Sequence, residues 1–303
     1  PNPIVSFALL KKGGLDADAL TPIQWSRQTN SAVFQERFHK VSFYRPKFSY
    51  IAWNLRKPYF ADKRVRKALT MLLDRKNFLK QQLLGEGEVV TGAAYRFGPD
   101  YDTSIEALPY NSAMAIKLLE EAGWVDSDGD GIRDKAGVPF RFTYIFRAGS
   151  NASKSIGLFF RESLARAGID MNVEQFEWAT LYKMLRERSF DAVSLAWVLP
   201  VDYDPFSMWH SSAAAQGVNL TGFKSPQVDD ILEQAQIEFD HVKRSQLYYK
   251  LHRIISEEQP YTFLFTTPQY AAVSKRFDNV VLHKLGLDSN DWQLADAAPL
   301  ISW

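Results

Sequence analysis

The sequence predicts an α/β fold, and three observations carry that prediction. Between residues 140 and 198, strand-like apolar runs alternate with amphipathic helical runs, giving β-α-β-α-β. The segments joining those runs are long enough to be crossovers, which parallel strands require and hairpins do not. The chain is 303 residues long, enough to bury a substantial core and more than one domain usually needs.

Taken in order, Ile4 to Leu10 is apolar enough for a strand or a short helix, and Gly13 to Asp18 is a turn. Val41 to Tyr44 and Phe48 to Trp53 read as two strands broken at Pro46. Asp62 can cap a helix running to about Leu84, with Val65, Ala68, Leu69, Leu72, Leu73, Leu79 and Leu83 at helical spacing and Gly85 as its stop. Residues 86 to 110 carry many Gly, Pro and aromatic positions with little periodicity, so they read as a long surface excursion. Ser112 to Ala122 is a helix with Gly123 placed as its C′ residue. Phe140 to Phe146 is a strand, Lys154 to Ala167 a helix ended by Gly168, and Met171 to Phe176 a strand. Thr180 to Glu187 is a short helix and Phe190 to Val198 a buried strand. Ser225 with Pro226 opens one long helix, and Asp240 caps another that reaches Glu257 before Pro260. Tyr261 to Phe265 and Tyr270 to Val273 read as strands.

Composition excludes several function classes. A formal charge of +1 argues against a nucleic-acid binder, which would show a basic face. No apolar run approaches the roughly 18 residues that a membrane-spanning helix needs. Cysteine is absent, so there is no disulfide, thiolate catalysis or Cys-ligated metal. The chain starts at Pro1 without a Lys/Arg-led signal segment, as a mature secreted protein or a piece of a longer one would.

The densest chemistry follows the strand ending at Val198. Trp197, Asp202, Tyr203, Asp204, Trp209 and His210 crowd into one loop between prolines. Strand ends that open into rigid loops are where α/β proteins place ligands. A carboxylate such as Asp202 beside Tyr203, Trp197 and Trp209 can pair with a cationic amine while the rings cover apolar parts of a ligand. The alternative is that Asp204 caps the local turn and Trp209 belongs to the core. A hydrolase using Asp202, Asp204 and His210 is a further reading, weakened because two acids two apart in such a loop diverge. No Gly-x-Ser-x-Gly elbow, phosphate loop or His-Glu-x-x-His motif occurs. Of the histidines at 39, 210, 241, 252 and 283, only His210 sits among ligand-like groups.

One segment has the spacing of a calcium loop. Asp126, Asp128, Asp130 and Asp134 fall at positions 1, 3, 5 and 9, with Gly131 at 6. Position 12 is Gly137 where a bidentate Glu belongs, and a strand follows where a helix should. Asp side chains can cap their own backbone amides, so a hairpin without metal and a structural Ca²⁺ site both fit. No other cofactor is called for.

Six ordered segments resemble one family. Asn54 followed by Pro58-Tyr-Phe-Ala-Asp62-Lys-Arg64-Val65-Arg66-Lys-Ala68-Leu69 is close to the N…PPF-x-D-x-RVRQAL segment of the family 5 extracellular solute-binding proteins, the peptide- and nickel-type binding components of ABC importers. Asp74-Arg75 fits the IDR that follows it there. Ala122-Gly-Trp124 with Asp128 to Ile132 and Gly137 resembles the family's acidic hairpin. Asn219 to Asp229 is similar to its N..GY.NPEVD segment. Arg244, Tyr248 and Glu257 to Tyr261 fit the helix and strand after it.

The resemblance implies a periplasmic-binding-protein-like class II lobe with a mixed sheet flanked by helices, plus a partial second lobe. By that likeness residues 1–49 and 270–303 form part of the first lobe and 50–269 the second, as in a fragment whose earlier part is missing. It implies no catalysis, and it implies binding of oligopeptides by lobe closure and delivery to a membrane permease, from the periplasm or the lipid-anchored cell surface. Oligosaccharide, nickel-chelate and other solute binders share the fold and remain alternatives. A monomer without nucleic-acid partners is expected. In peptide-binding members a W..DY segment supplies an aspartate to the peptide's amino group. Trp197 and Asp202-Tyr203 fall in that region, with a longer gap.

Overall fold

The computed structural model describes residues 2–200, 202–215 and 217–295. Val201, within the loop singled out above, and positions 296–303 of the expected first lobe lie outside the described residues. The chain divides into two compact units, one built from residues 2–46, 79–87 and 267–295, the other from 47–78 and 88–266.

In the first unit, helix α1 (Pro3–Lys12) resolves the choice at Ile4–Leu10 in favour of a helix. Asn2 caps it, with its side chain accepting from the Ile4 amide, and Gly13 ends it at φ +83°. Strand β1 (Ala17–Leu20), helix α2 (Ala32–Arg37) and strand β2 (Phe38–Phe43) follow. Strand β12 (Gln269–Ser274), from the far end of the chain, pairs antiparallel with both β1 and β2. The core of this unit is therefore nonlocal: Phe7, Leu10, Leu20, Phe34 and Phe38 bury against Tyr270 and Ala272.

The second unit opens with β3 (Lys47–Trp53), then α3 (Lys63–Leu72), the first half of α4 (Arg75–Gln82), whose residues from Leu79 on count with the first unit, and β4 (Glu88–Val89). The single helix expected from Asp62 to Leu84 is thus two. Asp74 breaks it, because its side chain accepts the Asn77 amide as a second N-cap while Leu73 turns extended. Next come α5 (Ser112–Glu121), the hairpin of β5 (Asp134–Lys135) and β6 (Val138–Pro139), and β7 (Arg141–Arg147). The crossover units are α6 (Asn151–Arg166), β8 (Asp170–Phe176), α7 (Trp178–Arg186) and β9 (Ala192–Val198). The short α8 (Phe206–Trp209) precedes α9 (Pro226–Ile237) and α10 (His241–Glu258). Strands β10 (Tyr261–Phe263) and β11 (Phe265–Thr266) close the unit.

The main sheet runs β10-β3-β9-β7-β8. β7 is parallel to β8 and β9, as the crossover pattern predicts, whereas β3 is antiparallel to β9 and β10. The sheet is therefore mixed. Its inner strands β3 and β7, together with β10, are largely buried and read as nearly continuous apolar runs, whereas the edge strand β8 is mostly exposed and polar. Trp53 lies at the centre, fully buried against Phe60, Phe142 and Phe160, and its indole N–H donates to Thr262 Oγ1 at 3.2 Å. Helix α6 approaches the sheet closely at Gly157, where a Cβ would lie 2.6 Å from the Tyr144 ring.

Candidate ligand-binding site

The carboxyl ends of β7, β8 and β9 point the same way, because these three strands are parallel. In such sheets that edge is where loops gather a ligand. Here the three ends are uneven. β9 pairs with β7 only through Ala192, Val193 and Ser194, yet continues to Val198 paired with β3 alone. Among the described residues no strand pairs with the other edge of Leu195–Val198. That segment presents free backbone donors and acceptors in extended conformation, in line with β7 and beyond its end.

Two large apolar side chains at the carboxyl ends of β9 and β8 are open to solvent. Val198 is 69% exposed, and Trp178, at the first position of α7 directly after β8, is 49% exposed and lies 5.9 Å from the Tyr182 ring. The sequence reading missed Trp178. Its position two residues past a parallel strand end, parallel to the end of β9, was the available signal.

Trp197 is half-buried and stacks on Tyr50 with ring centroids 6.5 Å apart. Its indole N–H is buried and interacts with the buried Tyr261 hydroxyl.

The loop after β9 sorts the other expected residues into two sets. Asp202 is 89% exposed, touched by one guanidinium nitrogen of Arg244 at 3.3 Å. It borders a depression of about 480 Å³ with Asp100, Tyr203, His241 and Arg244. Asp204 is exposed and accepts the Phe206 amide at 2.8 Å, closing the turn that leads through the N-cap Pro205 into α8. Tyr203 and Trp209 face inward. Tyr203 is buried with its ring edge-on to Tyr248, whose hydroxyl donates to the Tyr203 carbonyl; burial raises the Tyr203 phenol well above its ordinary pKa. Trp209 is 1% exposed and packs on Tyr261 and Phe223.

His210 stacks on Phe206 at 4.2 Å, with Nδ1 2.7 Å from Ser212 Oγ and Nε2 3.4 Å from Glu233. Asp202, Asp204 and His210 are each engaged with other groups and make no hydrogen bonds among themselves. The hydrolase arrangement has no geometric support.

The acidic loop is self-satisfied. Asp126 accepts the amides of Gly129 and Gly131, Asp128 that of Asp130, Asp130 that of Ile132, and Asp134 both the amide and the hydroxyl of Ser127. These bonds hold the Asp134 carboxyl below its ordinary pKa. Oxygens of Asp126, Asp128 and Asp130 nonetheless lie within 4.8 Å of one another, a spacing that a cation could bridge; Asp134 stands outside that group.

Among the described residues no helix is long and apolar enough to cross a membrane. A profile of the bacterial extracellular solute-binding proteins, family 5 (middle), matches residues 1–219. Among curated relatives, the oligopeptide-binding protein AppA of Bacillus subtilis is 32% identical over 240 residues, which is 78% of this chain and 44% of that protein. Heme-binding protein A of Haemophilus influenzae is 25% identical over 246 residues, covering 80% of this chain and 43% of that protein. The chain thus spans less than half the length of these relatives. Among solved structures, AppA from B. subtilis in complex with a nonapeptide superposes with a TM-score of 0.85 at 29% identity, covering 98% of this chain and 59% of that one. NikZ from Campylobacter jejuni in complex with Ni(L-His) superposes at 0.79 with 20% identity, covering 96% and 59%, and shows the fold alone. The fold is that of binding proteins and not of an enzyme. The uneven strand ends and the open loop after β9 are thus features of a chain that belongs to the bacterial extracellular solute-binding proteins, family 5.

Proposed function

We propose that this chain contributes one wall of a ligand site in the substrate-binding component of an ABC importer, and that the ligand is an oligopeptide bound in extended form. The observation that carries this reading is the unpaired edge of Leu195–Val198. An extended peptide is the ligand whose own backbone repeat matches such an edge, adding as a strand where β7 stops. Asp202 supplies the anion for the peptide's amino terminus, the half-buried Trp197 and exposed Trp178 cover its side chains, and Tyr203, Asp204, Trp209 and His210 hold the loop in shape. The likeness to AppA, whose structure holds a nonapeptide, supports this choice.

In this reading residues 1–49 and 270–303 belong to a first lobe and 50–269 to a second, closing on the peptide by a hinge motion that removes water. The protein acts outside the cytoplasmic membrane, free in a periplasm or lipid-anchored at the surface, and hands its cargo to a membrane permease as a monomer. The acidic loop is a hairpin that stands by its own hydrogen bonds, and any Ca²⁺ it takes is structural. The exposed Trp178 ring favours a second reading, a planar or sugar ligand stacked on aromatics in the same fold. Hydrogen exchange decides between them. A peptide added as a strand slows exchange of the backbone amides within 195–198, whereas a stacked ligand leaves them unprotected.

A further inference from the structure

Arg75 is a buried charge without an anion. It is 5% exposed, and its guanidinium donates to the carbonyl oxygens of Phe263 at 2.7 Å and Leu108 at 2.6 Å. Among the described residues no carboxylate lies within 4.0 Å of it. Burial lowers its pKa to about 10, so it remains charged at neutral pH. A buried cation held only by carbonyl dipoles leaves an uncompensated positive field, and structures normally answer that with a counter-ion.

The space beside Arg75 can take one. It lines a groove of about 710 Å³ within the second unit, in the size range of small-molecule sites. Two more cations line it: Lys76, exposed and without a carboxylate partner among the described residues, and Arg96, which pairs with Glu88 at 3.0 Å and lies over the Tyr101 ring at 5.1 Å. Against these three cations stand two lining carboxylates, Asp74, which caps α4, and Glu106, which is exposed. The rest of the wall carries two hydroxyls, Thr91 and Thr103, and is otherwise apolar or aromatic, including Leu73, Val89, Leu108 and Tyr110.

We infer that this groove is a second ligand site, separate from the edge of β9, for a small organic carboxylate with an apolar or aromatic body. The carboxylate sits against the positive field of Arg75 with Lys76 and Arg96 as its adjustable donors, and the body lies along the apolar wall.

The test uses benzoate as the probe and benzamide as its neutral counterpart, with affinity read from ligand-observed NMR titration of the intact chain. Arg75 clamps two backbone segments, so the variants are placed at the exposed Lys76 and the part-exposed Arg96, with thermal melting of each checking that it folds. Expected are a benzoate Kd of about 1 mM, benzamide weaker by about tenfold, and Lys76→Gln and Arg96→Gln each weakening benzoate by about threefold or more. Asp202→Ala should leave benzoate binding unchanged, and Lys76→Gln should leave any peptide affinity unchanged. Equal binding of benzoate and benzamide overturns the inference, as does benzoate binding that is indifferent to both cation variants. Benzoate binding abolished by Asp202→Ala overturns it too, by placing the anion elsewhere.

Discussion

Asp202 and Arg244 form an ion pair at 3.3 Å in which the carboxylate is almost wholly exposed while the guanidinium is three-quarters covered. Such a pair contributes about 0–1 kcal/mol to stability, because water screens the exposed partner. On the proposed peptide reading, Arg244 holds the carboxylate in place and competes with an incoming ammonium for it. Arg244→Gln is expected to leave the melting temperature within about 2 °C of wild type. It should tighten binding of peptides with a free amino terminus by roughly threefold to tenfold, about 1 kcal/mol. Paired calorimetric and thermal-melt measurements check both halves, and weaker binding by the variant would assign Arg244 to the ligand instead.

His252 gives the second unit a pH dependence of defined sign. The ring is buried, with Nδ1 accepting the Asp102 amide and Nε2 2.9 Å from Thr91 Oγ1, and burial lowers its pKa to about 4. The unfolded chain takes up this proton near pH 6.5 and the folded one near 4, so the unfolded state binds more protons between those values. The contribution is complete above pH 6.5 and is lost as pH falls towards 4, on the order of 3 kcal/mol in total. Urea unfolding of wild type and His252→Gln at pH 7 and pH 4.5 should show a markedly smaller loss for the variant. Equal losses would place the acid sensitivity elsewhere.

Trp209 stands in the ligand loop by sequence and in the core by structure. Trp209→Ala removes a ring packed on Tyr261 and Phe223 and should destabilise by about 3–5 kcal/mol. Trp178→Ala removes an exposed ring and should cost less than about 1 kcal/mol while weakening ligand binding. Measuring melting and affinity on both variants separates the roles. A Trp209→Ala protein as stable as wild type would refute the packing.

The acidic hairpin should not depend on metal. Each of its aspartates already accepts backbone amides, so removing one by Asp126→Ala is expected to cost about 1–2 kcal/mol with or without calcium. Adding 1 mM Ca²⁺, roughly a hundred times a typical sensor-site Kd, would raise the melting temperature by several degrees if the loop were a true site. A shift below about 1 °C is expected.

Much of the fold was legible because the local signals agree with it. Ser225 with Pro226, Asp240 and Asp62 start helices where the sequence says they do, and the β-α-β-α-β run folds as read. The break at Asp74 was missed because leucines keep helical spacing across it, so periodicity outvoted a cap. The site was legible as a loop but not as a surface. Which of Tyr203, Asp202 and Trp209 faces water depends on α8 and on Tyr248 and Tyr261, far away in sequence. The open edge of Leu195–Val198 follows from β7 pairing with β9 over only three residues, a matter of register that no single segment encodes.

The most direct test of the peptide reading compares one tripeptide with its N-acetylated form by calorimetry, on wild-type and Asp202→Asn protein. The account predicts that acetylation weakens binding to wild type by about tenfold or more, roughly 1.4 kcal/mol, and that Asp202→Asn abolishes the difference. Equal affinity of wild type for the two peptides would contradict it.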